Sequence, residues 1–537
     1  MKELRLNTAK DVMANSDPFR LSNVEVLFEA QFECSRDKDK SIRRKFLTKS
    51  KYLVGLQCPK CLWMRCNESE KIPEPNEALK NIFATGNKIG VLAQLLYPNG
   101  IALQEEDFSA NIRETAEILK SSDRKPIFEA GITAGRLYAR ADILVPVEDD
   151  AWDLIEVKCS TGNDEKKLEV YFDDIAFQKY CYEQAGLKIR QCFLMHVNGD
   201  YVREGDIDAD EYFTLLNVDH DVKKREPAIA SIVEGFLNII DMPQCPHIGI
   251  GPYCLKPYEC ALKSLCWDFL PEENVLEIAR GKKKGFKLLD QGIEKIKDIP
   301  DGFKLSPMQQ IQKICAIDEN YYIDKDAIKK LLESLRYPLY FMDFETLFEA
   351  IPRFDGVSPY NQVPFQFSVH IQQEKDGPLG HYEFLAKYSQ DPRKDFIEKL
   401  KNCMGKEGDV IVYNQSFEQS RLKELAERFP EYKEFCENVN LRMVDLYAPF
   451  RSFHYYNPSQ KGSASIKKVL PALTGISYDD MEISNGGMAP AEFQRVTYGD
   501  NIEDEDRYRV YNALEEYCKL DTKAMVDIID ELRRLVN

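Results

Sequence analysis

Apolar and polar positions are most clearly patterned between Ala141 and Ser160, in the stretch ADILVPVEDDAWDLIEVKCS. Two apolar-rich runs, Ala141–Val147 and Trp152–Val157, flank the acidic turn Glu148-Asp149-Asp150, which is the pattern of a β-hairpin. Upstream, Ile82–Pro98 carries apolar residues at helical spacing, with Gly86 and Gly90 inside it. Downstream, Leu168–Gly186 predicts a helix and Gln191–Val197 a short strand, and residues 271–336 read as charged and helical. From Tyr337 the pattern changes. Tyr340–Thr346 predicts a strand, with adjoining antiparallel strands at Phe365–Ile371 and Tyr382–Ala386. Asp409–Tyr413 predicts another strand running into a helix through Glu427, followed by a short strand over Leu441–Leu446 and a closing helix over Tyr511–Val536. Strands interleaved with helices predict an α/β chain of several domains.

The length, 537 residues, agrees with several domains, and 44% hydrophobic and 11% aromatic residues suffice for ordinary globular cores. No apolar run reaches membrane-spanning length, and the start MKELRLNTAKDVM lacks a signal-peptide core, so a cytoplasmic location is expected. The 15 cysteines are too sparse for a disulfide scaffold, and their clustering suggests ligation under reducing conditions. A net charge of -18 argues against a general nucleic-acid coat. Two local basic segments, Lys40–Lys51 and Lys282–Lys287, have the composition to track phosphates, although solvated charge is the better explanation of both.

Candidate chemistry falls in three places. In the hairpin, Asp142 lies on the first strand, and Glu156 and Lys158 leave one face of the second. Two carboxylates with an ammonium suit a divalent metal and a positioned water, whereas alternate charges are also the ordinary wet face of a strand. Gln178 and Tyr182 share one face of the helix that follows, and Glu129 lies just upstream. Cysteines gather at Cys58, Cys61 and Cys66, and again at Cys245, Cys254, Cys260 and Cys266, the last three spaced C-x5-C-x5-C in a Pro/Gly/Tyr-rich loop. Thiolates so spaced suggest a metal or cluster. Cys159, Cys181, Cys192, Cys315, Cys403, Cys436 and Cys518 read instead as small apolar residues. The third place is the C-terminal half, with Asp343-x-Glu345 on a strand, Asn414-x-x-Phe417-Glu418 at a helix start and Tyr517-x-x-x-Asp521 on the last helix.

The first two groups together resemble the RecB-type nucleases that carry a stapling iron–sulfur cluster, such as the CRISPR-associated RecB-like exonucleases and the AddB helicase-nuclease subunit. The resemblance covers roughly Lys51 to Leu270. It implies a PD-(D/E)xK restriction-endonuclease-like core with Asp142, Glu156 and Lys158 as catalytic residues, and Gln178 and Tyr182 as substrate-binding residues. It also implies a [4Fe–4S] cluster on Cys58, Cys254, Cys260 and Cys266; Cys61 remains an alternative to Cys58, and tetrahedral zinc an alternative to the cluster. Many such enzymes carry a metal-binding histidine on the early helix; GNKIG at 86–90 has none, and Glu129 is the substitute ligand beside Asp142 and Glu156.

The third group resembles the DnaQ-like 3′–5′ exonucleases of the RNase H-like fold, tyrosine subclass, over about 337–537. That implies Asp343, Glu345, Glu418 and Asp521 as ligands of two Mg²⁺ or Mn²⁺ ions, Tyr517 beside the attacking water and Asn414 in substrate binding. Glu418 stands where aspartate is usual. The expected organisation is an accessory segment over 1–50, a RecB-like domain over 51–270, a helix–hairpin–helix-like linker over 271–336, and a DnaQ-like domain over 337–537. Residues Tyr455–Pro471 (YYNPSQKGSASIKKVLP) are expected as a basic surface loop. The function implied is metal-dependent hydrolysis of nucleic acid, with single-stranded or frayed DNA favoured over RNA, in repair, recombination or phage defence. The alternative is a nucleic-acid-binding scaffold whose centres are inactive and whose cluster is structural.

Overall fold

The computed structural model describes residues 46–75, 77–103 and 107–537, so most of the expected accessory segment lies outside the described residues. The chain is a mixed α/β protein with several sheets, in two compact units. The first takes in the described residues up to Asp268 together with Glu349–Tyr360, and the second comprises Phe269–Phe348 and Asn361–Asn537. Residues 271–336, expected as a linker, therefore belong to the second unit. They form helices over Lys282–Leu289 and Pro307–Asp318, separated by a turn at Gly292 and a single 3-10 turn over Ile296–Asp298.

The first unit is built on a seven-stranded sheet. Its strands are β1 (Leu47–Thr48), β2 (Ile101–Ala102), β3 (Ile127–Ala134), β4 (Leu137–Pro146), β5 (Ala151–Lys158), β6 (Lys188–Val197) and β7 (Phe213–Asn217). Strands β2 to β7 lie side by side in sequence order, and β1 pairs in parallel with the start of β4. β5 is buried from Ala151 through Glu156 on both faces, as a central strand between layers should be. Among the described residues the sheet begins at Leu47, before the expected boundary at residue 51. Directly after β1 comes helix α1 (Lys49–Gln57), capped by the Thr48 hydroxyl. It packs on helix α2 (Glu165–Gln184) through the Tyr52–Phe177 ring stack at 4.7 Å.

The second unit has a five-stranded sheet. In chain order its strands are β8 (Leu339–Phe348), β9 (Gln362–Gln372), β10 (Leu379–Leu385), β11 (Asp409–Val412) and β12 (Met443–Asp445), in spatial order β10-β9-β8-β11-β12. The first three pair antiparallel, while β11 pairs in parallel with β8 and β12. Leu441 ends a helix instead of opening the last strand, because the Arg442 guanidinium turns the chain by binding the carbonyls of Gly405, Glu407 and Gly408. The chain between Ile466 and Thr474 is a helix, not the expected loop. The last helix, Asp504–Val536, starts seven residues earlier than expected, and its acidic first turn suits a helix N-terminus.

Candidate functional site

Two clusters of ionisable side chains stand out, one in each unit. In the second unit, Asp343 and Glu345 are alternate residues of β8 and so leave the same face. The apolar stripe of the last helix (Val510, Leu514, Cys518, Met525, Ile529) docks on the sheet and carries Tyr517 and Asp521, one turn apart, with it. The register of that helix is pinned by Thr522, whose hydroxyl bonds Ser368 Oγ at 2.7 Å and His370 Nδ1 at 2.8 Å, and by Gln366 Nε2 donating to Leu514 O. Asp343, Glu345 and Asp521 consequently bring one carboxylate oxygen each to within 4.8 Å of the others. Glu418 lies in the first turn of the helix Gln415–Arg428 and is 2% exposed, its Oε2 lacking any hydrogen-bond partner. The turn before it is set by Asn414 at φ 85°, whose N–H donates to Asp445 Oδ1; this is the structural role of a residue expected at the substrate.

Burial, compounded by repulsion from the Asp521 carboxylate, raises the carboxyls of Asp343 and Glu345 well above the usual range. Burial also raises Glu418 to about 8. Burial lifts Asp521 to about 6, against the opposing Tyr478 hydrogen bond and Lys467 charge. Concentrated carboxylate oxygens with too few protein cations are a donor set for a hard divalent cation. The orphaned Glu418 oxygen fits that reading. Two further side chains join the cluster. Tyr478 Oη donates to Asp521 Oδ1 at 2.6 Å, and Lys467 Nζ donates to Tyr517 Oη at 3.0 Å and to Ser484 O at 2.7 Å. Burial, then the neighbouring carboxylates, hold the Tyr517 phenol neutral, far above its ordinary range. Neither Lys467 nor Tyr478 was legible as a site residue, since both come from the segment expected to be loop or beyond it.

In the first unit, the Asp142 carboxylate accepts the Val157 N–H at 2.7 Å, just past the last paired residues of β4 and β5. Glu156 is 1% exposed and Lys158 Nζ bonds both it and Asp174 Oδ2, the latter at 3.0 Å. Lys49 Nζ stands 2.9 Å from Glu156 Oε1 and 3.7 Å from Asp142 Oδ1. Burial raises Asp142 to about 6, with the Glu156 charge adding to it. Burial disfavours the Glu156 charge too, but Lys158 and Lys49 outweigh it and hold that carboxyl below its usual range. Burial works against the Lys49 and Lys158 charges as well, yet the surrounding carboxylates prevail and raise both ammonium groups.

Asp174, Gln178 and Tyr182 recur every four residues along α2 and so share a face. Gln178 Nε2 donates to Glu156 at 2.6 Å and Asp174 at 3.0 Å, while its Oε1 is buried without a partner. Tyr182 donates to Ala130 O and accepts from Ala141 N, joining β3 to β4. Both residues, expected at the substrate, are 0% exposed here and position carboxylates and strands. Glu129, at φ 57° within β3, pairs with Arg140 Nε at 2.8 Å, so its carboxylate is already neutralised in place. Lys49 and Asp174 were missed. Lys49 sits in a basic run that reads as solvated, and Asp174 in a helix with no motif to mark it.

One further cavity in this unit is lined by Cys58, Cys254, Cys260 and Cys266. Cys61 does not line it; its thiol hydrogen-bonds Cys260, which together with the Arg65 guanidinium holds it below the ordinary thiol range. Four thiols around one cavity are the donor type for a thiolate-bound metal ion or cluster.

A domain family of unknown function, DUF2779, matches residues 340–465, which span β8 to β12. Three uncharacterized mycoplasmal proteins are also similar. One is UU173 of Ureaplasma parvum serovar 3, 28% identical in an alignment that covers 39% of this chain and 33% of that protein. The MG366 homologue of Mycoplasma pneumoniae is 25% identical over 38% of the chain and 33% of its own length. MG366 of Mycoplasma genitalium is 26% identical over 39% of the chain and 34% of its own length. The chain thus spans about a third of the length of these relatives. No solved structure matches it. Among the described residues, no helix is long and apolar enough to cross a membrane.

Proposed function

We propose that this protein is a metal-dependent nuclease whose principal centre is the carboxylate cluster of the second unit, acting as a DnaQ-like 3′–5′ exonuclease on an RNase H-like fold. The observation that carries this reading is the convergence of Asp343, Glu345 and Asp521 within 4.8 Å, from two strand positions and one helix position. Glu418 stands outside that group of three but close enough for its charge to act on Asp343 and Glu345, and its unpartnered buried oxygen would serve as a fourth donor. Mg²⁺ or Mn²⁺ held there would polarise a phosphodiester and activate water. The chain's own residues do the rest. Tyr517, fixed by Lys467, offers a neutral hydroxyl beside the carboxylates, suited to orient a water by hydrogen bonding. Tyr478 keeps Asp521 turned inward, and Lys467 brings positive charge next to the place where the phosphate gains negative charge.

The first unit is proposed as a RecB-like PD-(D/E)xK centre, with Asp142, Glu156 and Lys158 as its reactive set and a [4Fe–4S] cluster on Cys58, Cys254, Cys260 and Cys266. Such a cluster would staple the sequence ends of this unit together. Single-stranded or frayed DNA is the favoured substrate. One observation favours a second reading for this unit, a nucleic-acid-binding scaffold: Lys49 and Lys158 already neutralise its carboxylates.

The deciding experiment is digestion of end-labelled single-stranded DNA and RNA with Mg²⁺ or Mn²⁺, with and without EDTA. Shortening from the 3′ end that EDTA abolishes is the expected result. No degradation under any condition would leave the scaffold as the function.

A further inference from the structure

Lys49 is the side chain that the proposed mechanism does not use. It enters the first unit's cluster from outside the hairpin, at the first position of α1, and its ammonium lies against Glu156 and Asp142 together. A divalent cation bridging Asp142 and Glu156 would need that same space. Lys158 shares Glu156 Oε1 with Lys49 but reaches on to Asp174 instead of Asp142. Counting formal charges, Asp142, Glu156 and Asp174 contribute three negatives, and Lys49 and Lys158 contribute two positives. One negative charge remains, too little to hold a dication firmly against its hydration. Without Lys49 the cluster would carry two. The amide of Gln178, whose Nε2 holds Glu156 and Asp174, has its Oε1 buried without a partner. The pocket is also open enough for exchange, since Lys49 keeps 29% and Asp142 21% of its side-chain surface in solvent.

We propose that Lys49 is a built-in competitor for the metal position of the first centre, so that this centre takes up Mg²⁺ or Mn²⁺ only as the Lys49 ammonium swings out. The proposal rests on the reading of Asp142 and Glu156 as metal ligands. A phosphodiester strand gives the displaced ammonium a new partner, so nucleic acid and metal load the site together, each raising the other's affinity. Among the described residues, no ammonium is ion-paired with the second-unit carboxylates; Lys467 there donates to a phenol and a carbonyl. The two centres therefore fill at different metal concentrations, the second first. At low divalent metal the first centre is latched shut by its own lysine.

The test is Mn²⁺ titration of the full chain, read as free Mn²⁺ by paramagnetic resonance, in an Asp343→Asn, Asp521→Asn background that silences the second-unit site. Lys49→Gln should bind Mn²⁺ at least about tenfold more tightly than the background, the effect expected of removing one cation within contact distance. Lys49→Arg, which keeps the charge, should show no tightening. Equal affinity of Lys49→Gln and the background would overturn the latch while leaving the metal site standing. Absence of Mn²⁺ binding in both would overturn the metal site and the latch with it. A second measurement needs no substitution at Lys49: labelling with an amine-reactive ester, mapped by mass spectrometry. Mn²⁺ should raise Lys49 labelling several-fold in the same background, and unchanged labelling would equally overturn the latch.

Discussion

Tyr478 is 4% exposed and spends its only donor on Asp521, which makes it the residue whose loss the second-unit cluster should feel most directly. Tyr478→Phe keeps the ring and removes a hydrogen bond to a carboxylate, a contact worth about 1.5–3 kcal/mol. More Mg²⁺ should then be needed for half-maximal trimming, with the metal-saturated rate changed far less; a normal metal requirement would show that Asp521 is held by other means. Tyr517→Phe should slow trimming while leaving Mn²⁺ binding close to normal, because only a hydroxyl beside the water is lost. His370 supplies a pH prediction independent of metal. Burial, and then the neighbouring His381, lower its pKa from 6.5 to about 3, so the folded state favours the neutral ring. Its contribution is complete above pH 6.5 and is lost as the pH falls from there towards 3, at up to about 1.4 kcal/mol per pH unit. Urea unfolding of the second unit at pH 7.5 and pH 5 should therefore show a steeper acid loss in the parent than in His370→Gln.

At the scale of elements, what was legible in the sequence was what local pattern encodes. The β4–β5 hairpin declares itself by apolar runs around an acidic turn, and the last helix by a continuous apolar stripe with Tyr517 and Asp521 inside it. What stayed hidden depends on pairing between distant residues. β1 is two residues long and exists only because Leu47 and Thr48 find Leu137 and Tyr138, yet it aims Lys49 at Glu156. Nothing in KSIRRKFLTKSK distinguishes that lysine from its solvated neighbours. The helix bearing Lys467 was masked in the same way, by the Gly/Ser residues that precede it. α1 also offers a stability test. A Cβ on Gly55 would come within 2.7 Å of the Phe236 ring, on the helix Glu226–Ile240. Gly55→Ala should cost about 1–3 kcal/mol by overpacking, despite alanine's better helix propensity, as read by thermal melting of the first unit. A gain in stability would mean that the ring yields easily.

For the whole molecule, the two clusters belong to different compact units, so their chemistry should separate. Asp343→Ala should abolish 3′ trimming, and Lys158→Ala should spare it while removing whatever cleavage the first unit performs. If each substitution alone erased all activity, the centres would not be independent. The chain path, however, does not separate so cleanly. Residues Glu349–Tyr360, which link β8 to β9, are part of the first unit. There the Tyr212 hydroxyl donates to Ala350 O at 2.9 Å, Arg203 donates to Pro352 O at 2.8 Å, and Tyr360 donates to the carbonyl of Cys159, next to Lys158.

That crossing sets an order of events during synthesis. The first unit cannot complete its packing when Asp268 leaves the ribosome; it must wait until Tyr360 has been made. By then β8 carries Asp343 and Glu345, but the helix that brings Asp521 to them is still more than a hundred codons away. Chains extend at about 5–20 residues per second, so the delay is roughly 7–30 s. A nascent chain, or one released early, thus carries a nearly complete first unit and only part of the second carboxylate cluster. The carboxylate cluster of the second unit is complete only on chains that have been read through Asp521.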